Sequence, residues 1–81
     1  MGMRGMSGGI LGSDRRIKRD VRARGLWANG LPFYSFRYVW DDDDAPLTFG
    51  HMADEVAAVR PDAVHRHPSG FDMVDYGALE I

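Results

Sequence analysis

A chain of 81 residues is one small domain at most, and at that size folding buries only roughly 60% of the surface the unfolded chain exposes. It has no cysteine, which excludes disulfides and thiolate metal sites. The net charge of −2 supplies no overall field for nucleic acid. The charge is nonetheless uneven: Arg15, Arg16, Lys18, Arg19, Arg22 and Arg24 crowd around Asp20, and Asp41 to Asp44 form an acidic run that can attract them.

Residues 1–12 hold five of the ten glycines and no apolar period, which predicts a flexible arm. That arm is too short and glycine-rich for a secretory signal, and no apolar stretch approaches the length of a membrane span. The expectation is a chain with no membrane partner, located in the cytoplasm or on a virion. Ile17 and Val21, four apart, predict a short helix over 14–22, capped by Ser13 or Asp14 and ended by Gly25. Asn29-Gly30 is a turn signal. "LPFYSFRYVW" alternates, with Tyr34, Phe36, Tyr38 and Trp40 on one face of a strand. Such an aromatic stripe reads as core or as a subunit interface. The four aspartates and Pro46 follow as a solvated turn. Met52, Val56 and Val59 share a face of a helix over 52–60, which Pro61 stops. Residues 63–76 read as two strands around "PSG", and "ALEI" as one further helical turn. The predicted class is α+β: short helices with a small antiparallel sheet in a single small domain.

The stretch "SDRRIK", residues 13 to 18, has two readings. In one, Ser13 caps a helix and Lys18 is a solvated lysine. In the other, they are a nucleophile and its base. A serine hydroxyl needs a base to take its proton, and a lysine serves only when neutral, which requires burial or neighbouring positive charge. Gly12 would leave its carbonyl open to attack, with helix-start amides to hold the oxyanion. Residues five apart on a straight helix lie about 140° apart, so the pair needs a bend at Ser13. Asp14, four residues before Lys18, is a rival partner that would keep the lysine charged.

His65 and His67 share a strand face and with His51 make a candidate zinc set. No carboxylate or cysteine stands at ligand spacing, and no metal or other cofactor is expected.

Four ordered stretches, "GSDRRIKRDV", "GLPFYSFRYVW", "GHMADEVAAVRPDAV" and "GFDMVDYGALEI", resemble the C-terminal intramolecular chaperone domain of phage tail fibres, tail spikes and endosialidases. A similar domain occurs in the myelin regulatory factor. The resemblance runs from about Gly12 to Ile81. It implies a self-cleaving serine–lysine peptidase domain over 13–81 that assists a homotrimeric fibre client and then releases itself. The implied cut is between Gly12 and Ser13, with Ser13 as nucleophile, Lys18 as base and Asp14 completing the motif. Asp54 stands where the family often has glutamine. Only twelve residues precede Ser13, so the usual client is not expected on this chain, and the helical extension that usually follows "VDY" ends at Ile81. A non-catalytic structural or interaction module of a virion or prophage remnant is the alternative.

Overall fold

The computed structural model describes residues 10–79. In chain order they form strand β1 (Ile10–Gly12), a 3-10 turn (Arg15–Ile17), β2 (Lys18–Leu26), β3 (Pro32–Tyr38), β4 (Thr48–Gly50), helix α1 (Ala53–Val59), a second 3-10 turn (Pro61–Ala63), β5 (Val64–Arg66) and β6 (Asp72–Asp75). The strands make two antiparallel sheets of three, ordered β2-β3-β4 and β1-β6-β5. This is the α+β class expected. Among the described residues no helix is long and apolar enough to cross a membrane.

The turn signals hold. Gly30 takes φ +85°, and Trp27 and Leu31 close the β2–β3 hairpin with a 2.9 Å backbone bond. Gly70, at φ +100°, does the same for "PSG" between β5 and β6. Of the aromatic stripe, Phe36 and Tyr38 are buried while Trp40 stays 61% exposed. The acidic run is solvated except Asp41, and Asp43 meets Arg19 at 3.1 Å, an exposed pair of little energetic weight.

The helix expected over 14–22 is absent. Its start is the 3-10 turn, and from Lys18 onward the chain is the edge strand β2. Asp20 sits at φ +55° and Gly25 at φ +113°, and the pairing with β3 shifts register beside each of them. Most of β2 is exposed, so burial imprints no period of two on its sequence, and its charges protect an open edge. The Ile17/Val21 spacing is therefore accidental. The expected arm also ends early: Ile10–Gly12 pair with Asp75, Val74 and Met73 as β1. Residues 1–9 lie outside the described residues, as do the last two of "ALEI".

The main core lies between α1 and the β1-β6-β5 sheet, where Ala53, Val56, Ala63, Val74, Tyr76 and Leu79 pack, with Leu11 beside them. Val59, expected on the buried face, is 60% exposed at the last residue of α1, whose buried residues are Ala53 and Val56.

Candidate functional site

Ser13 follows β1 directly and precedes the 3-10 turn, so it lies in the bend that the dyad requires. Asp14 makes the bend. Its Oδ1 accepts from the Arg16 backbone N–H at 2.9 Å, capping the turn. Its Oδ2 takes the Arg16 guanidinium at 2.7 Å and the Asp72 N–H at 3.0 Å. These bonds hold the Asp14 carboxyl far below the usual carboxylate range. Asp14 is therefore bonded to Arg16 and β6 and makes no ion pair with Lys18, although its negative charge still works to keep the lysine protonated.

Ser13 is 1% exposed and Lys18 7%. Lys18 opens β2 opposite Tyr38 of β3, and paired residues project from the same sheet face. Its ammonium lies 4.0 Å from the Phe36 ring centroid and donates to the His51 carbonyl at 2.8 Å. Burial first, and then the Arg15 guanidinium, bring Lys18 from 10.5 down to about 7. Arg15 contributes although it pairs with Asp54 at 2.7 Å and Glu55 at 3.5 Å, whose charges pull the lysine the other way.

The segment Gly50–Ala53 joins the two candidate residues. The His51 carbonyl takes Lys18, the His51 N–H donates to the Tyr76 hydroxyl at 2.9 Å, and the Ala53 N–H donates to the Ser13 carbonyl at 2.9 Å. The Tyr76 hydroxyl lies 3.4 Å from Ser13 Oγ. Either hydroxyl can donate across that contact; Ser13 Oγ also donates to the Leu11 carbonyl at 3.4 Å, which leaves the Tyr76 proton free to point to the serine. Among the described residues no hydrogen bond joins Ser13 Oγ directly to Lys18 Nζ; the connection runs through Tyr76 and His51. The scissile-bond candidate has its own partners: Ser13 N–H donates to the Asp72 carbonyl at 3.0 Å, and the Tyr38 hydroxyl donates to the Gly12 carbonyl at 2.7 Å. The helix expected to open after Ser13 and serve that carbonyl with its first amides is a 3-10 turn instead, with its Arg16 and Ile17 N–H groups bonded to Asp14.

His51 is a structural residue. Its Nδ1 meets the Pro32 carbonyl at 2.7 Å, which can only accept, so Nδ1 carries the proton. Its Nε2 accepts from Asn29 Nδ2 at 3.1 Å, because Asn29 Oδ1 is taken by the Leu31 N–H. Burial lowers its pKa and favours this neutral ring. His65 is exposed and His67 stacks on Phe71 at 4.3 Å. Among the described residues, no three metal-ligating side chains come together.

Sequence reasoning read Tyr38 as part of an aromatic core or interface face and gave Tyr76 no role beyond ending a strand; a tyrosine where phenylalanine would fill the space is the signal. It also missed why residue 50 is glycine. A Cβ there would lie 2.7 Å from the Tyr76 hydroxyl, and a tyrosine ring held by packing cannot swing aside. Gly50→Ala is expected to push Tyr76 off Ser13 and to cost about 1–3 kcal/mol by overpacking, read by thermal unfolding. An unchanged melting temperature would refute the tight approach.

A family profile described as "Chaperone of endosialidase" matches residues 13–65, about two thirds of the chain. The match begins at Ser13 and takes in Lys18, Tyr38 and the His51 segment; β1, β6 and Tyr76 lie outside it. No curated protein and no solved structure matches the chain.

Proposed function

Because the chain belongs to the chaperone-of-endosialidase family, we propose that it assists assembly of a tail-fibre type client as a homotrimer and detaches by cutting its own chain between Gly12 and Ser13. In this reading residues 13–81 are the chaperone unit and the residues ahead of Ser13 are the portion released. The observation that carries the reading is that Ser13 and Lys18, the one before a bend and the other opening an edge strand, are both buried and both fastened to the His51–Ala53 segment.

The chemistry needs little reach. Ser13 Oγ attacking the Gly12 carbonyl carbon closes a five-membered ring, so covalent geometry supplies the proximity. The hydroxyl proton goes to neutral Lys18, whose flexible stem must turn from the His51 carbonyl to the serine. The ring intermediate then breaks its C–N bond. Lys18 returns the proton to the Ser13 nitrogen, and an ester remains between Gly12 and Ser13 Oγ. Water hydrolyses that ester to a Gly12 carboxylate and a chain beginning at Ser13. Buried Lys18, about half neutral near pH 7, suits the base role.

Intact mass after expression tests this. The expected result is loss of the residues ahead of Ser13 in wild type and full mass in Ser13→Ala. A second reading, a structural module that keeps the fold without the reaction, is favoured by the Lys18–His51 bond, which occupies the base. It predicts one species at full mass, unchanged by Ser13→Ala. Light scattering tests the trimer: a stable monomer across the micromolar range would count against the assembly role.

A further inference from the structure

We propose that Tyr38 is a catalytic residue of the self-cleavage, donating its phenol proton to hold the oxyanion that forms at the Gly12 carbonyl oxygen. The inference rests on the self-cleavage reading above and adds to it the electrophilic half of the site.

The sheet explains why that carbonyl is available. In an antiparallel pair, hydrogen-bonded positions alternate with open ones. Ser13 N–H bonds to the Asp72 carbonyl, so the next bonded position along β1 is Leu11 opposite Val74, and Gly12 opposite Met73 falls between them. The Gly12 carbonyl is thus turned away from β6. Because β1 is an edge strand, the carbonyl faces the side where Tyr38 stands. A carbonyl can only accept, so in the 2.7 Å contact the phenol must donate. That length lies at the mode for O–H···O bonds.

The donor is held in place before the reaction. The Tyr38 ring stacks on Trp40 at 4.9 Å with planes 5° apart and meets the Phe36 ring edge-on at 5.3 Å. Tyr38 is buried, so charge developing on the oxygen meets a fixed dipole in a water-poor setting. The nearby backbone donors are already used, since Ala53 N–H serves the Ser13 carbonyl and His51 N–H serves Tyr76. Lys18, opposite Tyr38 across the strand pair, projects from the same face, so base and oxyanion donor reach the Gly12–Ser13 bond from one sheet.

The test compares cleavage rates of the full chain, by intact mass over time, in wild type, Ser13→Ala and Tyr38→Phe. Supporting the proposal, Tyr38→Phe remains folded by circular dichroism and cleaves about 100- to 1,000-fold more slowly, the loss expected for one oxyanion donor, with the rising limb of its pH profile still near 7. A folded Tyr38→Phe that cleaves at the wild-type rate, while Ser13→Ala is blocked, overturns the role of Tyr38 and leaves self-cleavage standing. Wild type that never cleaves overturns both. If Tyr38→Phe does not fold, fluorinated tyrosine introduced at position 38 keeps the shape and lowers the phenol pKa. The alkaline fall in rate, where phenolate can no longer donate, then moves to lower pH while the rising limb stays. An alkaline limb that does not move overturns the proposal.

Discussion

Replacing Lys18 with methionine is expected to abolish self-cleavage within measurement, a loss of about 100- to 10,000-fold if the lysine is the general base, and to make the fold more stable at neutral pH. The two effects have one origin. Burial holds Lys18 near 7 against 10.5 when unfolded, so between those values the unfolded chain binds the extra proton. Stability of the wild type therefore rises with pH across this window, at up to about 1.4 kcal/mol per pH unit. Well below pH 7 the full cost of a buried ammonium is present, offset in part by the His51 carbonyl and the Phe36 ring. Methionine removes both the cost and the slope. Melting curves from pH 7 to 9 should climb for wild type and stay nearly level for Lys18→Met. The wild-type cleavage rate should rise to a plateau above pH 7 and be about a hundredfold lower at pH 5, where neutral lysine is scarce. A cleavage rate independent of pH from 5 to 8 would remove Lys18 from the reaction.

Asp14→Ala is expected to cost about 2–4 kcal/mol. The Arg16 and Asp72 N–H groups lose their acceptor in a partly buried site, at about 1–2 kcal/mol each, and the Arg16 guanidinium loses its partner. Small domains lie toward the low end of the 5–15 kcal/mol typical of folded proteins, so this is a large share, measurable by urea unfolding. The pH dependence has the opposite sign to that of Lys18. The Asp14 carboxyl is depressed in the fold, so its contribution is fully present above the unfolded value of 3.8 and is lost as pH falls below it. The variant should lack this acid-side decline. Cleavage should slow as well, although Asp14 touches no reacting atom, because the bend presenting Ser13 is no longer tied to β6. A loss under about 0.5 kcal/mol would mean that water replaces the carboxylate at little cost.

What the sequence revealed followed from where the chain buries a face. Strand β3 sits in the middle of its sheet and α1 packs on the core, so Phe36, Tyr38, Met52 and Val56 carry readable periods. The hairpins announced themselves through Gly30 and Gly70, whose positive φ angles favour glycine. β2 was illegible for the converse reason. It is an exposed edge, held by pairing to β3 and bent at Asp20, and neither property leaves a hydrophobic pattern. β1 was illegible because three residues of strand cannot show a period. At the site, Ser13, Lys18 and the need for a bend were readable locally. The lowering of Lys18 by burial, the diversion of Asp14 to Arg16 and the arrival of Tyr38 and Tyr76 depend on contacts between residues far apart in the chain, which spacing alone does not encode.

Strand β1 changes what a cut after Gly12 would accomplish. Before the cut it is part of the chain; afterwards it is a peptide seated on the edge of β6 by main-chain bonds, with Leu11 resting against the core. Its departure then becomes a dissociation event with its own rate, separate from the rate of bond breaking. The cut also creates charge at the joint. A new ammonium appears on Ser13, where 1% of the residue reaches solvent, and the Asp72 carbonyl is the acceptor already in place for it. The Gly12 carboxylate appears beside it as a counter-ion, but the cost of taking both ions out of water can exceed their attraction, and parting the strands hydrates both. Scission would thus act as an ejector, converting the energy of an unhydrated terminus into expulsion of the strand.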